Sequence, residues 1–169
     1  DMSGEVAKRV REARDLVQAS LKTIREQGPS DTEALALSTM ARVLLAEGRP
    51  EEALKVARES ARELRRVAPE NLGYRLLIET AEAAALARCG SPQAALSRLE
   101  TIAGEARRRG YVHLGLEAEL ALGRLEIRQA EKAAGAARLR SLAEKASERG
   151  FFLIAREAGE ELLKGQDAG

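Results

Sequence analysis

The chain is poor in the residues that supply disulfides, metal ligands and catalytic bases. Among its 169 residues are one cysteine, one histidine and only 2% aromatic residues. A single cysteine excludes an intrachain disulfide framework, and one histidine with one cysteine is too sparse a set for a zinc site. The sequence therefore predicts no metal, no cofactor and a reducing compartment, for which the cytoplasm is the expected location.

Excess charge and long apolar runs are missing as well. The 28 basic residues nearly balance the 27 acidic ones, so there is no field to attract nucleic acid or anionic lipid. No run of about 18 apolar residues could span a membrane, and no signal-peptide core is present. We therefore expect neither nucleic acid nor membrane as a partner. A start at Asp1 instead of methionine suggests a processed chain, a tag remnant or a domain cut from a longer protein.

What the chain does contain favours helix. Alanine, leucine, glutamate and arginine dominate, and residues that prefer strands are few. Turn residues separate segments of roughly 16 to 22 residues, each long enough for a helix of four turns or more. The sequence predicts an all-α chain of eight helices in one domain over 1–169. The expected helices are 5–27, then pairs within 31–67, 71–109 and 111–149, then 151–164.

The residues at the ends of these segments support the division. Ser30 and Glu33 have the spacing of a capping box, and Ser91 precedes Pro92 as a cap precedes a first helical residue. Glycines stand where a left-handed residue ends a helix. They are Gly28, Gly48, Gly90, Gly110 and Gly150.

Aromatic residues follow glycines at a repeating interval. Gly150-Phe151 lies 40 residues after Gly110-Tyr111, and Gly73-Tyr74 lies 37 residues before Gly110-Tyr111. We predict that all four aromatic residues share one structural position, at the start of every second helix. By the same alignment, His113 takes a position that Leu76 and Leu153 occupy. A fixed period of tens of residues is the signature of a helical solenoid.

One turn region resembles a known repeat. The turn of a tetratricopeptide repeat is similar to the stretch Gly48-Arg49-Pro50-Glu51-Glu52-Ala53-Leu54, which has Ala41 seven residues before its glycine. The same spacing recurs later in the chain, where Leu122-Gly123 lies seven residues before Ala130. The resemblance covers about residues 31–165. It implies a right-handed α-solenoid of antiparallel hairpins, with small residues where the first helix of each pair (A) packs on the second (B).

The chain departs from that pattern in three ways. Its period is near 40, whereas the family's is about 34. The closing proline is absent at Arg65, and Glu79 and Glu82 stand at positions that are usually apolar. We therefore expect a tetratricopeptide-like solenoid with lengthened helices.

The resemblance also implies a site, on the concave face that the A helices line. Such faces bind peptides or partner helices, and arginines on them would hold a carboxylate. Mapping the family's groove positions onto this chain gives Ser38, Arg42, Leu45, Thr80, Arg88, Glu117, Arg124 and Arg128. The expected function is a non-enzymatic scaffold or regulatory module that binds a peptide or protein segment.

Catalytic interpretations are weaker. His113 is better explained by packing, because it takes a leucine's place in the repeat. Pairs such as Glu117 and Glu119 resemble an acid–base pair but are typical of a solvated helix face. Cys89 precedes a helix end whose carbonyls would raise its pKa, so it is expected to be inert. The basic clusters at 62–66 and 107–109 lack interleaved aromatics for stacking on nucleic acid.

The two ends of the array suggest a second hypothesis. Segment 5–27 is a B helix without an A partner, and 151–164 is an A helix without a B partner, so these helices are either caps or the cut ends of a longer array. An exposed apolar strip from Val6 to Ile24 would be covered by another domain or by a second copy, as in a homodimer. Three stretches, 116–126, 134–139 and 150–156, are also similar to the C-terminal helical repeats of multidomain bacterial signalling proteins. That resemblance implies a self-association or signal-relay tail of a kinase, cyclase or transcriptional regulator.

Overall fold

The computed structural model describes residues 2–129 and 132–167, which form eight α-helices and no strand. The helices are α1 (Met2–Glu26), α2 (Asp31–Ala46), α3 (Pro50–Val67), α4 (Leu72–Arg88), α5 (Pro92–Arg108), α6 (Val112–Arg128), α7 (Lys132–Glu148) and α8 (Phe152–Asp167). The predicted all-α class and helix order are confirmed for these residues. Contacts gather the helices into two compact units, Asp1–Ser91 and Pro92–Gly169. The single domain over 1–169 stays a prediction.

The first unit holds α1 to α4. Here α2 packs against α1, α3 and α4, and α3 packs against α4. One buried cluster joins Ala34 of α2, Ala61 and Leu64 of α3, and Ile78 of α4. Because alanine predominates on these faces, the helix backbones approach closely and the core is built from small side chains.

The second unit holds α5 to α8 and repeats this pattern. In it α6 packs against α5, α7 and α8, and α7 packs against α8. Its core is richer in leucine than that of the first unit. The buried cluster contains Leu116, Leu120, Leu139, Leu142, Ala146, Ile154 and Ala158. Thus α2 and α6 occupy equivalent places, each in contact with the helix before it, the helix after it and the next A helix.

The helix ends follow the predicted chemistry. All five predicted glycines have positive φ, from 74° at Gly48 to 97° at Gly28, and no other described residue does. Ser30 caps α2 by accepting the N–H of Glu33 at 3.3 Å. The Glu33 carboxylate pairs instead with Arg25 of α1, with Oε1 2.7 Å from Nε. The predicted capping box therefore forms one of its two hydrogen bonds, and its carboxylate ties α2 to α1.

The aromatic residues all lie at the start of every second helix, as predicted, but the prediction that they share one position was wrong. Tyr111 directly precedes α6 and Phe151 directly precedes α8, whereas Tyr74 is the third residue of α4 and Phe152 is the first of α8. The reason lies in Asn71, whose side chain accepts the Tyr74 N–H at 3.1 Å and starts α4 without a left-handed glycine.

Helix starts rather than aromatics therefore set the register. Asn71, Tyr111 and Phe151 lie 40 residues apart. In this register His113 corresponds to Leu153 as predicted. Its counterpart in α4 is Gly73, and Leu76 aligns with Leu116.

Small residues lie where A and B helices meet, as the resemblance implies. Ala53 and Ala95 are fully buried, and Gly135 is buried at the same point of α7. On α6, a Cβ added to Gly123 would lie 2.5 Å from Leu139 Cδ2. The α6–α7 contact therefore has no room for one extra carbon. Ala130, the counterpart of Gly48 in the repeat, lies outside the described residues.

Candidate functional site

The first unit contains an open groove between α1 and α3, which we call the α1–α3 groove. Its volume is about 1010 Å³ and its floor is formed by Leu37, Met40 and Leu44 of α2. Leu21 of α1 and Val56 of α3 extend this apolar surface onto the walls. Met40 and Val56 are half-buried, so part of each side chain is accessible from the groove.

Ion pairs cross the rim of the α1–α3 groove. From α1, Arg25 reaches Glu33 of α2 at 2.7 Å and Glu59 of α3 at 3.1 Å. Near the other end, Glu47 lies 3.0 Å from Arg14 and 2.8 Å from Arg49. These pairs hold α1 against its neighbours and neutralise much of the rim. The apolar floor is therefore the main surface that the groove offers.

The pKa of one rim residue reflects this pairing. Hydrogen bonds to Glu52 and Glu47 raise the pKa of Arg49, and the hydrogen bond from Arg49 lowers the pKa of Glu52. Arg49 therefore stays charged, and its guanidinium is already engaged by two carboxylates.

The second unit has a corresponding groove between α5 and α7, which we call the α5–α7 groove. It is smaller, about 490 Å³, and α6 again forms its floor. Its charged lining is mainly basic, with Arg107, Lys145 and Arg149, while Glu119 lies 3.1 Å from Arg107. The two units thus repeat one feature, a cleft between successive B helices.

In the first unit, the predicted site residues do not form one surface. Ser38 is fully buried, and Leu45 is half-buried against the cluster of Leu44, Ala53 and Ala85. Thr80 is half-buried and donates its hydroxyl to the Leu76 carbonyl at 2.8 Å. Arg42 and Arg88 are exposed. A ligand on these A helices would therefore meet chiefly the two arginines.

In the second unit, the predicted residues are partly engaged within the chain. Arg124 of α6 binds Glu157 of α8 at 2.8 Å and lies 3.4 Å from Glu161. Glu117 lies 3.7 Å from His113 Nε2, and Arg128 is exposed. A ligand carboxylate at Arg124 would have to compete with two carboxylates that the fold already supplies.

Ser38 gives a prediction about stability. Thr39 and Thr80 donate to the carbonyl four residues back, but the corresponding acceptor for Ser38, the Ala34 carbonyl, already receives the Ser60 hydroxyl at 2.6 Å. Among the described residues the Ser38 hydroxyl has no hydrogen-bond partner. We expect Ser38→Ala to raise the free energy of unfolding by about 1 kcal/mol, because it removes a buried polar group without a partner.

Ser60→Ala is the matched control for that change. It should lower the free energy of unfolding by about 1 kcal/mol, because it removes a buried hydrogen bond between α3 and α2. Urea denaturation measures both. Destabilisation by both substitutions would mean that the Ser38 hydroxyl has an acceptor.

His113 and Cys89, which were considered for chemistry, do not line either groove, whereas Glu119 and Arg107 line the α5–α7 groove. The His113 side chain is half-exposed and its ring centroid is 5.7 Å from that of Phe151, which is a packing contact. The pKa of Cys89 is raised, as predicted, but chiefly by burial and then by Glu51, with Arg58 partly offsetting both. In 2–129 and 132–167 no three His, Cys, Asp or Glu side chains gather as a metal site would require.

A buried ion pair in the second unit was missed from the sequence. Arg138 of α7 donates to Glu126 of α6 through two hydrogen bonds of 2.8 and 2.7 Å, and Glu126 is only 6% exposed. The position of Glu126 in the sequence could have indicated this pair, because Glu126 lies one helical turn after the small residue Gly123. Glu82, which the sequence singled out, is also buried and lies 3.7 Å from Arg58.

This geometry places the chain in a known class. It has a tetratricopeptide-like repeat fold, which confirms the predicted α-solenoid class. The chain is similar to the crystal structure of a putative kinesin light chain from Podosopora anserina with nearly identical TPR-like repeats. The match has a TM-score of 0.62 and 16% identity over 96% of this chain and 79% of that one.

The other comparisons add no family. No protein-family model matches the chain, and no curated protein sequence does. None of the described helices has the length and apolar character needed to cross a membrane.

Proposed function

We propose that the chain is a non-enzymatic interaction module, acting as a scaffold or regulatory domain, that binds an amphipathic helix of a partner protein in the α1–α3 groove. The observation that supports this is the apolar floor of Leu37, Met40 and Leu44 beneath a rim of paired charges. An amphipathic helix would lay its apolar stripe on that floor and keep its polar face in water.

The dimensions and the residues of the groove fit such a ligand. Its volume of 1010 Å³ slightly exceeds the range of about 300 to 1,000 Å³ typical of small-molecule clefts, so the groove has room for a larger ligand such as a peptide segment. Met40 supplies a flexible side chain that adapts to different apolar partners. Since the rim arginines already bind carboxylates of the chain, the ligand would be selected by its apolar spacing more than by its charge.

The surface of the A helices is the competing location. Arg42, Arg88 and Arg128 are exposed there and would favour an acidic, extended segment. Because Arg124 is held by Glu157, a ligand carboxylate at Arg124 would have to compete with a carboxylate of the chain. The two locations therefore differ in the ligand expected and in the residues that bind it.

Selection from a displayed peptide library, followed by fluorescence anisotropy on the enriched peptides, tests the proposal. We expect enriched peptides with apolar residues at helical spacing. Val56→Glu should weaken their binding by about 2 kcal/mol, or roughly 30-fold, because it places a charge in the apolar contact. Lys55→Glu, on the exposed side of the same helix, and Arg42→Glu should leave affinity within about twofold.

Three results would contradict the proposal. They are failure to enrich any peptide, binding that survives Val56→Glu, and enrichment of acidic peptides that Arg42→Glu releases. The last result would move the site to the A helices. The relay-tail hypothesis stays a prediction.

A further inference from the structure

Exposed apolar side chains concentrate on the first and last helices. Of the seven large hydrophobic residues that are exposed in the described part of the chain, five belong to α1 or α8. Val6 is 60% exposed on α1, and Phe152 and Leu163 are 69% and 63% exposed on α8. The repeat register shows what these two faces correspond to elsewhere in the chain.

On α1, the open face matches the face by which other B helices pack. Forty residues before the buried Ala53, Ala57, Ser60 and Leu64 of α3 stand Ala13, Val17, Ser20 and Ile24. In α3 these positions face α2, since Ser60 donates to the Ala34 carbonyl and Leu64 packs on Ala34. In α1, Ala13 and Ser20 are exposed, and Val17 and Ile24 are half-buried.

On α8, the open face matches the face by which α6 receives α7. Forty residues after Val112 and Gly123 stand Phe152 and Leu163. On α6, Gly123 packs against Leu139 of α7, whereas the equivalent Leu163 is exposed. Gly159 lies on the same face of α8, and a Cβ added there would meet nothing within 4 Å.

The two open faces are therefore the two halves of one kind of contact. When Ala13 is aligned with Gly135, Val17 aligns with Leu139. Because Leu139 packs on Gly123, and Leu163 is the equivalent of Gly123, Val17 of one copy would pack on Leu163 of the next. The net charges of the two helices are opposite, because α1 carries six basic and four acidic residues while α8 carries two basic and four acidic ones. Some of these charges are already paired within the chain, namely Arg14, Arg25, Glu157 and Glu161. We propose that the chain associates end to end, with α1 of one copy packed antiparallel on α8 of the next.

This contact is heterologous, since each copy contributes a different face. Two copies joined by one such contact leave one α1 face and one α8 face open, and further copies can add there as the concentration rises. It also differs from a dimer formed by two copies of the leading helix 5–27. The α1–α3 groove lies on another side of α1, and Val56→Glu should leave the association unchanged.

Sedimentation velocity over a range of concentrations, from about 1 to 500 µM, tests the proposal. The mean mass of the unaltered chain should rise with concentration. Ala13→Glu and Leu163→Glu should each weaken association roughly 30-fold or more, because each places a carboxylate in the apolar contact. Ala19→Glu and Leu153→Glu are matched controls, the same substitutions at exposed positions on other faces of α1 and α8. They should leave association unchanged, and circular dichroism should show that all four variants are folded.

Mixing the two blocked variants gives the sharpest result. The Ala13→Glu chain keeps an intact α8 and the Leu163→Glu chain keeps an intact α1, so together they should form one 1:1 dimer and nothing larger. A chain that is monomeric at every concentration would overturn the proposal. So would a mixture that stays monomeric, or association that only one of the two substitutions disrupts, which would indicate a symmetric contact through a single helix.

Discussion

Replacing Gly135 with alanine is expected to lower the free energy of unfolding by about 2 to 3 kcal/mol. The added Cβ would lie 2.7 Å from the backbone nitrogen of Ile127 and 2.9 Å from Glu126 Cβ. A backbone atom within a helix cannot move aside as the end of a flexible side chain can, so α6 and α7 would have to separate. That separation would disturb the packing of Leu139, which lies in the same contact and is fully buried.

Gly159→Ala is the control for this substitution. Gly159 also lies inside a helix, but nothing approaches an added Cβ within 4 Å. Here the helix preference of alanine acts alone and should raise the free energy of unfolding by about 0.5 to 1 kcal/mol. Urea denaturation at low micromolar concentration would show opposite signs for the two changes. A neutral Gly135→Ala would mean that α6 and α7 do not approach as closely as described.

Arg138→Met should have a comparable effect, lowering the free energy of unfolding by about 3 kcal/mol. The substitution removes two hydrogen bonds from the Glu126 carboxylate, which is buried between α6 and α7. The hydrogen bond to Glu126 is also the main cause of the raised pKa of Arg138. Without Arg138, the buried Glu126 carboxylate loses both of these hydrogen bonds, which destabilises the fold.

Two further variants separate this effect from a general loss of packing. Glu126→Leu combined with Arg138→Met should recover most of the loss, because two apolar side chains replace a buried pair at little net cost. Arg156→Met breaks the exposed pair with Glu160, whose charged atoms are 3.6 Å apart, and should change stability by less than about 0.5 kcal/mol. If Arg138→Met behaves like Arg156→Met in thermal unfolding, the Glu126 pair does not stabilise the fold.

The helix ends were predictable because their chemistry is local. A glycine after an apolar helical segment indicates a left-handed residue whatever the tertiary structure, and all five such predictions are confirmed. The alignment of Tyr74 with Tyr111 failed for a local reason too. Asn71 starts α4 with a side-chain hydrogen bond. The helix starts therefore keep a period of 40, although the residues at those starts differ.

The candidate site was less predictable because burial and pairing depend on neighbouring helices. Ser38 is buried, a consequence of the packing of α2 on its neighbours. Arg124 binds Glu157, 33 residues away in sequence, and no local pattern reveals that pair. The α1–α3 groove arises from the spacing of two B helices, whereas the sequence directed attention to the A helices.

The contacts of α6 also bear on how the second unit folds. Its packing partners α5 and α7 are the helices directly before and after it in the chain, and α8 follows one hairpin later. Contacts between neighbours in sequence close short loops, so little entropy is lost before packing compensates for it, and such chains fold fast. The α6–α7 hairpin therefore has what it needs to act as a nucleus, and growth from it would proceed one helix at a time.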